Sequence, residues 1–464
     1  MRLNTMILIN NALSDFVWGP VMLALFIAAG VYLSLKTGFV QLRLGIVFRH
    51  TLGSLFQKRE ISSGGELTPF QAMTTALAGT VGTGNIAGVA LAMFSGGAGA
   101  VFWMWISAFF GMCTKYAEIV LAVRYRFIAP DGTRRGGAMY YIEQGLGKEW
   151  RWLAVCFAAL GCAASFGIGN MAQSSEIAGA AHELWGTENT LTGLLLALTV
   201  GLIIIGGIKR IGALTSYLVP AMTVFYLLAG LFIVIVRAAE IPAMLMRIVR
   251  EAFSLRAAGG GILGCGMMRA MRQGFARGIF SNEAGLGSAP IAHAASSADE
   301  PCEQAMWGIF EVFADTFVVC TITAFAMLLS GVLDTPGGVS VFSSGGAAAS
   351  AAFDAVIPGG FGGRIIKFSL ILFAISSIVC WSYYGESCLA YLTGGSGTAQ
   401  EIYKLVFVLS CFFGATGAGA LMWDISDTLN GLMAIPNLAA LVLLGGEAAR
   451  ITRGYFSESA DTLG

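Results

Sequence analysis

Long apolar runs separated by short polar stretches dominate this chain. A helix needs about 20 apolar residues to cross the hydrocarbon core of a bilayer. Scanned on that basis, the sequence offers eleven candidate spans: 16–35, 69–94, 100–122, 152–180, 191–208, 217–236, 268–292, 307–330, 365–392, 403–421 and 425–444. The stretches 237–265 and 331–363 read as excursions outside the membrane. The first holds Arg247, Arg250, Glu251 and Arg256, and the second is rich in Gly, Ser and Ala. The pattern predicts an all-α integral membrane protein of about 11 transmembrane helices.

Two runs are not clean helices. Residues 78–88 carry Gly79, Gly82, Gly84 and Gly88, with Thr80, Thr83 and Asn85 between them. Glycine weakens a helix and lets backbone approach a ligand. Unwound backbone at membrane depth persists only where protein or a wet cavity satisfies it. This run reads as a helix broken at mid-depth, a feature of many secondary transporters. A small-xxx-small packing surface, Gly84 to Gly88, is the plain alternative. Arg277–Pro290 tips the balance, with Ser281, Asn282 and Glu283 in a row, then Gly285, Gly287 and Pro290. It reads as a second break. The breaks fall in the second and seventh spans. Helices 67–236 and 266–446 then form two halves of five, preceded by one extra helix at 16–35. An odd number per half makes the repeat inverted.

Composition agrees with a bilayer protein. The 464 residues are 56% hydrophobic and 12% charged, with mean hydropathy +0.75, whereas soluble domains carry about 25% charged residues. Net charge is zero, which gives no support for nucleic-acid binding. The nine cysteines form no C-x-x-C, so neither a zinc site nor a disulfide framework is expected. The first apolar run reads as a retained helix, not a signal peptide. An N-terminus outside and a C-terminus inside puts Lys36, Arg43, Arg49, Lys58 and Arg59 in the cytoplasm. Arg124, Arg126, Arg134, Arg135, Lys148 and Arg151 join them. The exception, 237–277, is long, and long segments weigh less in this rule. The expected location is the cell (inner or plasma) membrane. No H-E-x-x-H occurs, Gly82 to Gly88 lacks dinucleotide spacing, and His50, His182 and His293 are scattered. An enzyme is not expected.

Residues 96–111, Gly-Gly-Ala-Gly-Ala-Val-Phe-Trp-Met-Trp-Ile-Ser-Ala-Phe-Phe-Gly, look like the signature of the alanine or glycine:cation symporter family, the sodium:alanine symporters. Gly-Thr-Val-Gly-Thr-Gly-Asn-Ile-Ala-Gly at 79–88 and Phe-Ser-Asn-Glu-Ala-Gly-Leu-Gly-Ser-Ala-Pro at 280–290 resemble that family too. The likeness runs from end to end. It implies a leucine-transporter-like core of five plus five inverted helices and sodium-driven uptake of small neutral amino acids, alanine and glycine foremost. Two rivals stay open. Protons could replace sodium, with Glu283 or Asp315 titrating, or the chain could be a passive channel.

The resemblance also implies site roles. Val81-Gly82-Thr83-Gly84-Asn85 matches the first core break of such folds. Amides near Thr83 and Gly84 would hold the substrate carboxylate, as the start of a half-helix can. Thr80, Val81 and Asn85 would line the substrate from this break, and Phe280, Ser281 and Asn282 from the other. Sodium would lie among carbonyls of Ala78, Val81 and Phe373 and hydroxyls of Ser376 and Ser377. Taken alone, those serines read better as packing serines bonded to their own turn. Trp381, four residues past Ser377, either caps a small pocket or packs in the core. Asn170 and Gln173 are either a pocket wall or interhelical hydrogen-bonders. Lys115 and Glu118 read as a structural pair, and Glu311 and Asp315 as interhelical acceptors. Arg269, Arg272 and Arg277 approach the outer vestibule.

Overall fold

Lipid cannot satisfy backbone N–H and C=O groups, so spanning segments must bond internally. The computed structural model meets this with helices almost throughout, and describes residues 2–55, 66–129, 132–254, 265–335, 341–342, 344–417 and 419–461. Lys58, Arg59 and Arg256 lie outside the described residues. The chain opens with α1 (Arg2–Val17), α2 (Pro20–Thr37) and α3 (Leu44–Leu55). The first broken helix is α4 (Pro69–Thr80) and α5 (Val89–Gly96), followed by α6 (Gly99–Arg124). A small antiparallel hairpin, β1 (Phe127–Ile128) with β2 (Arg134–Arg135), pairs Phe127 with Arg135. Next come α7 (Ala138–Leu146), α8 (Arg151–Phe166), α9 (Ala172–Trp185), α10 (Asn189–Ile204), α11 (Gly207–Val236) and α12 (Ile241–Ala252). The second broken helix is α13 (Cys265–Asn282) and α14 (Ala289–Ala294). The rest is α15 (Pro301–Val312), α16 (Thr321–Leu329), α17 (Gly345–Asp354), α18 (Phe361–Leu392), α19 (Gly397–Thr416) and α20 (Gly419–Asp461).

Among the described residues, seven helical stretches are long and apolar enough to cross a bilayer, and the bent pair 69–80 with 84–96 makes an eighth. Each of the eleven predicted runs falls on helix, so the protein is an all-α, multi-pass membrane protein broken near 69–94 and 268–292. Helix α1 lies largely before the predicted first span, and Trp18 and Gly19 separate it from α2, which opens on Pro20. Helices α3, α12 and α17 occupy stretches that hydropathy reads as loops or excursions.

Sequence signals set the ends that matter. Thr68 and Gln71 form a capping box: the Gln71 N–H donates to Thr68 Oγ1 at 3.2 Å and the Thr68 N–H to Gln71 Oε1 at 3.0 Å. Pro69 stands at the first helical position, where a missing N–H costs nothing. Helices α8 and α9 are continuous through a π-helical turn, Gly167–Met171, as α15 and α16 are through Phe313–Cys320. Buried helices α4, α6, α14, α15 and α18 surround the two breaks. Leu194, Leu198, Leu202, Leu228 and Phe232 of α10 and α11 face outward, where lipid would meet them.

Candidate functional site

Val81 ends α4 with φ −78° and ψ 86°, and the helix restarts at Gly84 in a π-helical turn, Gly84–Gly88. The two halves meet at 50°. Close approach requires glycine here. A Cβ on Gly82 would lie 2.6 Å from Ser377 Oγ, and one on Gly84 would lie 3.3 Å from the Phe280 ring. Asn85 closes the turn by accepting the Gly82 N–H on Oδ1 at 2.9 Å. Its Nδ2 donates to Asp315 Oδ1 at 2.6 Å. The Thr83 hydroxyl donates to Gln173 Oε1 at 3.1 Å.

The last carbonyls of a helix have no intrahelical partner, and Ala78 and Val81 lie in and just past the last turn of α4. The Ser377 hydroxyl donates to the Ala78 carbonyl at 3.0 Å. The Ser376 hydroxyl donates to the Phe373 carbonyl at 2.8 Å and reaches the Ala78 carbonyl at 3.5 Å. All these residues are buried. Two hydroxyls and two carbonyls therefore converge between α4 and α18, beside the unwound turn. Rotating the hydroxyl hydrogens away would expose a set of neutral oxygens. That chemistry suits a hard monovalent cation, and no cluster of three or more His, Cys, Asp or Glu capable of holding a metal occurs among the described residues.

The second break is built differently. Between α13 and α14 the chain takes positive φ at Glu283 (53°), Gly285 (89°) and Gly287 (80°). A non-glycine residue in that region is strained and must be held by its surroundings. Glu283 accepts from Trp381 Nε1 at 3.2 Å and from the Ser288 hydroxyl. Glu118 accepts the Gly287 N–H at 3.1 Å and the Asn437 amide. That amide also donates to the Gly285 carbonyl at 2.8 Å, and the Tyr141 hydroxyl donates to Asn437 Oδ1.

The two breaks meet through Asp315. This buried carboxylate accepts from Asn85 of the first break, from Ser281 of the second at 2.8 Å, and from Thr316 at 2.8 Å. Asn282 donates to Thr316 Oγ1 at 3.1 Å, and Phe280 packs against Gly84. The structure therefore brings together Ala78, Thr83, Gly84, Asn85, Gln173, Phe280, Ser281, Asn282, Ser376 and Ser377. Thr80 and Val81 lie on the same turn, although the Thr80 hydroxyl points to Glu311 at 3.4 Å. Trp381 is 2% exposed and wedged against Gly169, where a Cβ would stand 2.4 Å from it.

Asn170 does not join them. Its Nδ2 donates to the Phe407 carbonyl at 2.7 Å, so it bonds to α19. The π-helical turn inserts a residue between regular phases, and Asn170 and Gln173 diverge although their spacing puts them on one face of an ordinary helix. The Lys115–Glu118 pair also needs correction. Lys115 Nζ bonds to Glu311 at 3.1 Å, while Glu118 serves the second break. Of Arg269, Arg272 and Arg277, Arg277 lies over the Phe280 ring at 5.3 Å, and Arg272 bonds to the Trp18 carbonyl at 3.1 Å. Sequence reasoning missed Tyr141 and Asn437. A lone Asn inside an otherwise apolar run was the available signal for the second.

These features define a secondary transporter of the leucine-transporter-like fold, with two broken helices facing a buried polar centre. The profile of the sodium:alanine symporter family matches residues 3–462, and the chain belongs to that family. It is 45% identical over 448 residues to the sodium/alanine symporter AgcS of Methanococcus maripaludis, covering 96% of each chain. It is 36% identical to the probable sodium/glutamine symporter GlnT of Bacillus subtilis, covering 93% of this chain and 87% of that one. Among solved structures, a substrate-bound, outward-open Na+-coupled sialic acid symporter shares the fold. Its TM-score is 0.56 at 16% identity, over 94% of this chain and 86% of that one. The protein is thus a membrane symporter and not an enzyme.

Proposed function

We propose that this chain couples inward sodium flux to uptake of small neutral amino acids, alanine and glycine, by alternating access between the halves 67–236 and 266–446. The carrying observation is the meeting of the Ala78 carbonyl with Ser376 and Ser377 beside an unwound turn. Sodium enters from outside, takes the lone pairs of Ala78, Val81, Phe373, Ser376 and Ser377, and orders the 78–85 turn. The substrate carboxylate then docks on the Thr83 and Gly84 amides at the start of the restarted helix. Its ammonium group faces Thr80, Val81, Asn85, Ser281 and Asn282. Phe280 and Trp381 leave room for a hydrogen or methyl side chain, which favours alanine over glutamine. Ordering of one turn by two ligands makes their binding mutually cooperative. The N-terminus lies outside and the C-terminus in the cytoplasm, in the cell membrane.

The test is radiolabelled alanine uptake into proteoliposomes under an inward sodium gradient, with sodium-free, pH-gradient and Ser377→Ala arms. Concentrative uptake that requires sodium and fails in Ser377→Ala supports the proposal. Uptake that merely equilibrates assigns a channel and removes it. One observation favours a second reading: Asp315 is buried without an ion-pair partner among the described residues. If protons drive transport, uptake follows the pH gradient without sodium, and Asp315→Asn uncouples it.

A further inference from the structure

A buried carboxylate outside the proposed ligand sites gathers both broken helices. Glu311 of α15 and Lys115 of α6 are fully buried and 3.1 Å apart. The same Glu311 oxygen, Oε1, accepts from the Thr80 hydroxyl at 3.4 Å. Oε2 faces His293 Nε2 of α14 at 3.1 Å. The histidine tautomer follows from its neighbours. Gln304 accepts the Ser296 hydroxyl on Oε1 at 2.7 Å, and its Nε2 donates to the Pro69 carbonyl at 3.3 Å and to His293 Nδ1 at 2.8 Å. His293 Nδ1 is therefore the acceptor, and Nε2 carries the hydrogen it gives to Glu311. With His293 neutral, Lys115 and Glu311 form the charged pair of the network, and both carboxylate oxygens are bonded.

The network reaches the proposed cation site through one residue. Thr80 lies between Ala78 and Val81, whose carbonyls are proposed to bind sodium, and its hydroxyl lies at comparable distances from Glu311, 3.4 Å, and from the Ala76 and Leu77 carbonyls, 3.5 and 3.3 Å, of which only the carboxylate is charged. Main-chain bonds fasten the opposite, N-terminal end of α4 to the residues that follow α14: the Leu67 N–H donates to the Ala295 carbonyl at 3.3 Å and the Ser297 N–H to the Leu67 carbonyl at 2.7 Å. The start of α4 is thus fixed to the chain after α14, and its last turn meets the α6, α14 and α15 network through Thr80 and Glu311, while Ser376 and Ser377 approach from α18. A ligand spanning that junction senses how firmly the α4 side is held.

We infer that Glu311 is a positioning residue for the cation site: tied to Lys115 and His293, it holds the Ala78–Val81 turn in place and neutralises the lysine charge beside it, so that it sets sodium affinity without touching sodium. This rests on the sodium reading proposed above. Glu311→Gln keeps the shape but takes away the carboxylate bonded to the Lys115 ammonium, so that the ammonium repels a cation bound nearby. In a partly shielded interior that repulsion weakens cation binding on the order of tenfold or more. Adding Lys115→Met removes the stray charge and returns part of the loss. Thr80→Val keeps both charges and removes the tie, for a loss of about threefold, the size of one weak hydrogen bond.

Sodium affinity is read from the sodium-dependent rise in melting temperature of the purified protein, and independently from the sodium dependence of alanine uptake. Glu311→Gln is expected to raise half-saturating sodium while the alanine KM at saturating sodium stays within about twofold. The Lys115→Met/Glu311→Gln variant is expected to fall between it and the unaltered protein. Sodium curves that superimpose for all variants overturn the inference. If Glu311→Gln does not accumulate, Thr80→Val decides: a weaker sodium response supports the inference and an unchanged one overturns it. Ser377→Ala run alongside separates the two claims. A sodium response that disappears there while the Glu311 and Thr80 variants keep the unaltered half-saturating sodium removes only this inference. No sodium response in the unaltered protein removes the sodium site, and this role with it.

Discussion

The two broken helices solve one problem in opposite ways. The first unwinds over Val81, Gly82 and Thr83, and its contacts with α18 run through neutral hydroxyls and carbonyls. The second unwinds over Glu283 to Ser288, takes three positive φ angles, and is pinned by the carboxylates of Glu118 and Glu283 and the amide of Asn437. Bonds to charged groups contribute roughly 1.5–3 kcal/mol each, against about 1 for neutral ones. On the side facing α18 the first break therefore has the weaker bonds and the oxygens to exchange for a ligand, although Asn85 anchors it to Asp315, while the second is braced as a frame. This division predicts that damage to the first removes transport and damage to the second removes stability.

The largest effect is expected at Gly82. A Cβ there meets Ser377 Oγ at 2.6 Å and drives α4 from α18 at the proposed cation site. Gly82→Ala should lower sodium-driven alanine uptake about a hundredfold, on the scale that an ångström of misplacement costs at a preorganised site. Its melting temperature without sodium should change little. Equal loss of both would erase the contrast between the breaks.

At the second break the corresponding variant is Gly287→Ala. Its φ is 80°, and a Cβ would lie 2.7 Å from the Phe157 ring. Left-handed strain and overpacking each cost about 1–3 kcal/mol. Thermal unfolding should show the loss directly, and the folded fraction should retain its sodium affinity. A normal melting temperature would mean that the second break is not a frame.

The contrast between the breaks was only half legible in the sequence. Glycines and polar residues at membrane depth reveal that a helix must unwind, so both interruptions can be placed from hydropathy alone. The bracing cannot, because its members are remote in the chain: Lys115 is 196 residues from Glu311, and Glu118 is 319 from Asn437. Local spacing suggests the nearer Lys115–Glu118 partnership instead. Asn170 misleads for another reason. Periodicity assumes 3.6 residues per turn, and the π-helical turn at 167–171 breaks that assumption where the two amides are compared. Helices α3, α12 and α17 escape a scan for long apolar runs because they are too short or too mixed to register.

Trp381 touches both sides of the comparison, four residues from Ser377 and bonded to Glu283 at 3.2 Å. Trp381→Phe removes the indole N–H and opens space next to Gly169. A lost hydrogen bond to a buried carboxylate predicts destabilisation of about 2 kcal/mol. The added room predicts that serine competes better for alanine uptake. Competition unchanged with stability lowered would make Trp381 part of the frame alone.

The smallest effect concerns how the C-terminal end of the first broken helix is held. The Ala98 N–H donates to Glu251 at 2.7 Å, Glu251 pairs with Arg247 at 2.8 Å, and Arg247 grips Asp334 with two bonds of 2.8 and 2.7 Å. The Arg247 fork holds the Asp334 carboxyl below its ordinary 3.8. A depressed acid contributes stability above its unfolded value and loses it as pH falls through the folded one, so this tie persists at neutral pH and fades only below 3.8. The pair is half exposed, so solvent and salt limit it to about 1 kcal/mol or less. Asp334→Asn should therefore lower the melting temperature slightly at pH 7, and the difference from the unaltered protein should shrink on acidification. Because the tie acts just past the C-terminal end of α5 and not at the Ala78–Ser377 junction, sodium affinity should not move with it. If it does, the C-terminal end of α5 and the cation site are coupled, and the first break responds to more than the ligand at its centre.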